Sequence, residues 1–359
     1  LLTEALRSGG FVLLEKTALA FEGGYSQGLN AQTGAACSCA ELRHISDDPD
    51  HGGSIYIAAQ RYRPSLTNLP TFDAHFIRLI MSLRKVEVGS ISCGSDPLFL
   101  ISGPCVIEEE TTMLTVAEKL KVFSEKTGIP VIYKSSFQKD NRSSVDYYQG
   151  PGLEEGLRTL QKIKDTFDMP LVSDVHYPDQ IAAAADVLDI IQIPAYLCMQ
   201  TTLVVEAARS GKVVNLKHGQ FLAPENMIKP VQKVESTGNR NIILTERGYT
   251  FGYNDLVVDP RSFYHLAETG YPVVFDITHS IRKYGIPSAD PSGGARQYLG
   301  VLARAAVGAG VDGLFIETHP CPSEALCDAA SQMDIDHLYD FMQPLIELHR
   351  IEKSFRQED

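Results

Sequence analysis

Leu98-Phe99-Leu100-Ile101-Ser102-Gly103-Pro104-Cys105 is the stretch on which the fold turns. Its first four residues form an apolar run ended by turn residues, the pattern of a strand buried on both faces. The turn that follows separates two architectures. A doubly wound nucleotide-binding sheet needs a G-x-G-x-x-G fingerprint here, so that the backbone can close on a pyrophosphate. Pro104 and Cys105 stand where the next glycine is required. Outward from this point the unit repeats in architecture but not in sequence. Apolar runs recur at 98–101, 131–133, 171–173, 190–193, 213–216, 242–245, 273–277 and 313–316. Helix-like segments lie between them, at 112–127, 152–167, 202–210 and 297–309. Such alternation indicates a parallel sheet, and eight units in about 250 residues predict an α/β protein with a (β/α)8 TIM barrel over residues 81–359.

A barrel of this kind carries its chemistry at the carboxyl ends of its strands. There the sequence presents Cys105, Lys134, Asp174 with His176, Gln192, Lys217, Arg247, His279, and Glu317 with His319. Each alone has an ordinary explanation, such as a thiol acting as a small hydrophobe or a histidine hydrogen-bonded in the core. Their convergence on one rim is the signal. After the second run, residues 134–144 read Lys-Ser-Ser-Phe-Gln-Lys-Asp-Asn-Arg-Ser-Ser, crowding three cations, four hydroxyls and two amides into one loop. These donors match phosphate oxygens in charge and geometry. Lys134, Lys139, Lys217 and Arg247 form a cationic set suited to a small ligand bearing both phosphate and carboxylate. Cys105, His279, Glu317 and Asp328 mix soft and hard donors, which suits Zn, Fe, Mn or Co without choosing among them.

Composition sets the outer limits. The 359 residues carry a net charge of −13, which argues against a nucleic-acid partner. No apolar run approaches a membrane span. Salt confines the acidic field to about 8 Å, so a few cations can still dominate a pocket. The seven cysteines form neither a disulfide framework nor a paired Cys-x-x-Cys site, which points to a reducing cytoplasm. Residues 1–80 carry glycine pairs and the polar run 46–50 without a sustained period. They are expected to be an extension of unknown role, poorly ordered or upstream of a natural start at Met81, the first methionine.

Taken together, Gly103-Pro104-Cys105, Lys134-Ser135-Ser136-Phe137, Asn141-Arg142-Ser143-Ser144, Gly150-Pro151-Gly152-Leu153-Glu154, Asp174-Val175-His176, Gln192-Ile193-Pro194-Ala195, Gln220-Phe221, Phe251-Gly252-Tyr253, Leu256-Val257-Val258-Asp259 and Glu317-Thr318-His319-Pro320 resemble the 3-deoxy-D-manno-octulosonate 8-phosphate synthases. The likeness covers nearly the whole barrel, and Asn-Arg-Ser-Ser is its most specific part. Related 3-deoxy-D-arabino-heptulosonate 7-phosphate synthases share the barrel but differ there. The resemblance implies condensation of phosphoenolpyruvate with D-arabinose 5-phosphate and water. The products would be 3-deoxy-D-manno-octulosonate 8-phosphate, for a lipopolysaccharide sugar, and inorganic phosphate. It also implies that Lys134, Ser136, Lys139, Lys217 and Arg247 hold phosphoenolpyruvate, while Asn141, Arg142 and Ser143 hold the sugar phosphate. Gln192 joins the substrate site, and Asp174 and His176 serve as supporting or proton-handling groups. Cys105, His279, Glu317 and Asp328 would bind the divalent metal, and Cys105 marks the metal-dependent branch, since the other branch has asparagine there. A homotetramer is implied as well.

Three departures stand out. Met199-Gln200-Thr201-Thr202 replaces Arg-Gln-Thr-Asp, whose arginine reaches a neighbouring subunit's sugar-phosphate site. His218 replaces a lysine and Asp255 an asparagine, and both changes are expected to lower positive charge or donor capacity near the rim. Met199 keeps open another acceptor such as erythrose 4-phosphate. A non-catalytic binder of phosphorylated metabolites is the third reading, opposed by retention of all four metal-ligand candidates.

Overall fold

Eight parallel strands close on themselves: β1 Phe99–Gly103, β2 Val131–Lys134, β3 Leu171–Asp174, β4 Ile190–Ile193, β5 Val213–Lys217, β6 Ile242–Glu246, β7 Val273–Asp276 and β8 Gly313–His319. β8 pairs with both β7 and β1, which completes the ring. The computed structural model describes residues 84–250, 256–287 and 290–357. The expectations for residues 1–80, for Phe251-Gly252-Tyr253 and for Asp255 fall outside these residues. Among the described residues, eight helices of seven residues or more surround the strands: α1 Glu110–Thr127, α2 Leu153–Phe167, α3 Ile181–Val187, α4 Thr201–Arg209, α5 Ile228–Glu235, α6 Arg261–Ala267, α7 Leu299–Gly308 and α8 Leu338–Gln357. The barrel expected from the sequence is the architecture observed.

Strand side chains alternate between two faces, and a barrel turns that alternation into layers. Outward-facing Val131, Tyr133, Ile191, Val214, Leu216, Leu244, Phe275 and Leu314 pack against the helices in one large apolar cluster. Inward-facing Ile101, Ile132, Val172, Ile190, Val213, Ile243, Val274 and Phe315 form a second cluster inside the barrel. Two residues further along, the interior turns polar with Lys134, Asp174, Gln192, Asn215, Thr245, Asp276 and Glu317, all buried. Position 103 in this layer admits only glycine, because a Cβ there would lie 2.1 Å from the Lys134 carbonyl oxygen.

This layering explains where the expected strand boundaries fell short. Four expected runs end one residue early, at 133, 173, 216 and 245, whereas the strands continue through Lys134, Asp174, Lys217 and Glu246. Polar residues inside a barrel mouth look like loop residues to any reading of hydropathy.

A hairpin, Val86–Val88 paired with Ile91–Cys93, went unread because each arm has only three residues. Its inward residues Val86, Val88, Ile91 and Cys93 belong to the same cluster as Ile101 and Val172. The hairpin therefore plugs the amino end of the barrel with apolar surface.

Candidate active site

The polar layer is hydrogen-bonded across the strands. Thr245 Oγ1 donates to Asn215 Oδ1 at 2.7 Å, and Asn215 Nδ2 to Gln192 Oε1 at 2.9 Å. Gln192 Nε2 in turn donates to Asp174 Oδ1 at 2.6 Å. The other oxygen of Asp174 accepts from Ser136 Oγ at 2.7 Å and Lys139 Nζ at 2.9 Å. Burial alone would push the Asp174 carboxyl up, but Lys139, Lys134 and these hydrogen bonds hold it well below the usual carboxylate range. Asp174 therefore serves as a fixed anion that anchors the cationic loop. His176 moves the other way: burial lowers it and keeps the ring neutral near pH 7, against the pull of Asp174.

Across the mouth, Lys217 pairs with Asp276, and Asp276 Oδ2 also lies 2.7 Å from His279 Nδ1. Asp276 went unnoticed in the sequence, yet it orients both a cation and an imidazole. Its legible signal is the Asp-x-x-His spacing at the end of β7, where the strand passes into the single helical turn Ile277–Ser280. Phe315, also unread, lies beneath two ammonium groups, with Lys217 Nζ 3.8 Å and Lys134 Nζ 5.4 Å from its ring centroid.

Cys105, His279, Glu317 and Asp328 come from four distant stretches, yet each offers a ligand atom within 4.8 Å of the others. With Nδ1 held by Asp276, His279 directs Nε2 toward Asp328 Oδ2 at 3.5 Å and Glu317 Oε2 at 3.6 Å. Glu317 Oε2 is a buried oxygen with no hydrogen-bond partner. Asp328 adopts φ of 50°, a left-handed conformation that an aspartate tolerates at modest cost. Burial would lower the His279 imidazole, but Asp276 and Glu317 raise it well above its ordinary value, so the cluster's field favours a cation. Burial and then the contact with Cys327, 3.0 Å between sulfurs, push the Cys105 thiol up. A coordinated cation reverses that influence, since a metal-bound thiol is deprotonated. One thiol, one imidazole and two carboxylates, one with an unpartnered buried oxygen, fit a divalent metal ion.

Above this floor lies a cavity of about 790 Å³. Lys139, Asn141, Arg142, Ser143, Asp174, His176, Gln192, Lys217, Arg247, His279 and Asp328 all line it. Lys134, Ser136, Cys105 and Glu317 sit beneath its wall, fully buried. There the Lys134 ammonium pairs with Glu317 and donates to the Cys105 carbonyl at 3.0 Å. Arg247 Nη1 donates to Tyr284 Oη at 2.8 Å. Tyr284, Arg282 and Lys283 line the cavity too and were not read from the sequence, because their loop carries no strand or helix period.

His218 corrects an expectation. It was read as lowering positive charge near the rim, but it is wholly buried and pairs with Glu246 Oε2 at 2.8 Å. Burial pushes its imidazole down, and Glu246 more than offsets this, leaving it above its ordinary value. Met199 contributes its carbonyl, which accepts from Lys233 Nζ at 2.5 Å.

The sequence profile of the DAHP synthetase I family matches residues 78–354. The chain belongs to this family. Within it, the chain is 52% identical over 256 residues to the 2-dehydro-3-deoxyphosphooctonate aldolase of Geobacter sp. (strain M21), covering 71% of this chain and 93% of that one. It is 49% identical over 272 residues to the protein of the same name from Geotalea daltonii, covering 76% and 100%. The Geobacter sulfurreducens protein of that name is 48% identical over 271 residues, covering 75% and 99%. The family match contains all eight strands and every cavity residue named above.

Proposed function

We propose that the protein condenses phosphoenolpyruvate with D-arabinose 5-phosphate and water to give 3-deoxy-D-manno-octulosonate 8-phosphate and inorganic phosphate. The relatives' name denotes this activity. The observation that carries the reading is the meeting of a four-ligand cluster with Lys139, Lys217 and Arg247 at one barrel mouth. Two phosphorylated reactants repel each other, and clamping both in near-attack geometry removes much of the entropic barrier.

Lys217 and Arg247, with Lys139 and Ser136, hold the enol phosphate and carboxylate, and Lys134 adds charge from the floor. Asn141, Arg142 and Ser143 hold the sugar phosphate, Arg142 and Ser143 at its phosphate end. Carbon 3 of the enol attacks the aldehyde while carbon 2 takes up water, and phosphate leaves. Asp174, ionised, keeps Lys139 aimed into the cavity, while His176, neutral near pH 7, is available to take a proton. Cys105, His279, Glu317 and Asp328 would hold a divalent ion, which would supply positive charge at the floor of the mouth. The enzyme works in the cytoplasm as a homotetramer. Five cysteines among the described residues are free, in keeping with that compartment. None of the described helices is long and apolar enough to cross a membrane.

Phosphate release from phosphoenolpyruvate, measured with D-arabinose 5-phosphate and with erythrose 4-phosphate, tests this. Release is expected to prefer the arabinose substrate, to fall with a chelator and to return with added Mn²⁺ or Zn²⁺. A preference for erythrose 4-phosphate, or no turnover with either metal, would overturn it.

A further inference from the structure

We propose that His218 is a positioning residue for Arg247: its doubly protonated ring ties the end of β5 to the turn bearing Arg247, and losing one proton in alkali loosens the grip on phosphoenolpyruvate. The identity of that anion rests on the function proposed above; the charge of the ring does not.

Both ring nitrogens face oxygens that accept. Nε2 lies 2.6 Å from the Leu222 carbonyl, which has no proton to give, so Nε2 carries a hydrogen. Nδ1 lies 2.8 Å from Glu246 Oε2. The other oxygen of Glu246 accepts from the backbone N–H of Arg247 at 2.9 Å and of Gly248 at 2.6 Å, the environment of an ionised carboxylate. Burial would push the Glu246 carboxyl up, but His218 and these hydrogen bonds hold it below its ordinary value. Against an ionised partner Nδ1 donates as well, which makes the ring an imidazolium. Among the described residues, the charged and titratable groups around it are Glu246 at the end of β6, Arg247 just beyond it, and Tyr249, whose ring meets it edge-on at 5.3 Å. Both partners of the pair are 0% exposed, so removing one charge leaves the other uncompensated in the interior.

The pair matters because of what hangs from each end. Glu246 closes the Arg247–Gly248 turn and so sets the direction in which the guanidinium leaves the strand. The bond to Leu222 closes the 218–222 loop, from which Gln220 Nε2 donates to Tyr284 Oη at 2.6 Å. Arg247 Nη1 reaches the same oxygen at 2.8 Å. A lysine at 218 would keep its charge far into alkali, whereas a histidine brings the change nearer neutrality. The folded value is raised above the unfolded one. The stabilisation is therefore complete below about pH 6.5 and disappears as pH rises through the folded value.

Two measurements test this. Histidine-ring NMR of the full chain, with His218 assigned by its absence in His218→Lys, is expected to find this ring doubly protonated at neutral pH. Calorimetric binding of phosphoenolpyruvate at rising pH is expected to weaken about tenfold more in the wild type than in His218→Lys. A neutral ring at neutral pH, or superimposable binding profiles, would overturn the proposal. If His218→Lys does not fold, the ring titration of the wild type, assigned through His218→Gln, decides. If phosphoenolpyruvate binds at no pH, the proposed function fails and the ring titration alone judges the inference.

Discussion

At the amino end of the barrel, Val86, Val88, Ile91 and Cys93 press against Phe99, Ile101, Ile132 and Val172 in an apolar cluster. Toward the carboxyl ends of the strands, the charged residues Lys134, Asp174, Lys217, Asp276 and Glu317 are buried as deeply. One end gains free energy by removing apolar surface from water. The other spends free energy holding charges away from water, and it holds only because each charge is paired. The difference teaches that burial by itself says nothing about role. What a buried residue is paired with separates stability from chemistry.

Three experiments press on that comparison, the largest effect first. Arg247→Ala removes a cation that lines the mouth and lies outside the apolar clusters. Its kcat/KM for phosphate release is expected to fall by about a hundredfold to a thousandfold, roughly 3–4 kcal/mol, with little change in urea midpoint. An equal loss of stability would erase the distinction between the two ends. Ile91→Ala, in the plug, should do the opposite. Unfolding in urea is expected to weaken by about 2–3 kcal/mol, while kcat/KM stays within about twofold. Loss of activity well below the unfolding transition would mean that the plug reaches the mouth mechanically. Asp174→Asn gives the smallest signal and the sharpest one. The wild-type carboxyl is depressed by Lys139, so its contribution is complete above about pH 4 and lost as pH falls through the folded value. The asparagine variant should show a flatter acid limb in thermal midpoint against pH, whereas Ile91→Ala should run parallel to the wild type. Identical acid limbs in all three proteins would show that the buried carboxylate is not coupled to folding.

Much of the carboxyl end could be read in advance because strand period and barrel geometry agree. Once eight apolar runs are counted, the residue at each run's end must face the same mouth, and Cys105, Lys217, His279 and Glu317 follow from that. Asp276 escaped notice because it sits at the edge of an apolar run, with nothing local to mark it as a partner of both Lys217 and His279. The plug escaped because a three-residue strand has too few positions to display an alternation. His218 is legible as a change near the rim, but its burial against Glu246 is not, since that partner lies 28 positions away on the next strand.

Hydrophobic period, turn chemistry and the identity of strand-end residues were enough to determine a (β/α)8 barrel and the kinds of group at its mouth, because these depend on local backbone preference and on which face a side chain takes. Which charges pair, which thiol meets which carboxylate, and which cations are sealed beneath the cavity wall were decided only by the closed barrel. Those relations join residues from different strands, 35 positions apart for Lys139–Asp174 and 183 for Lys134–Glu317, and their energies depend on distance and burial, which exist only once the ring has closed.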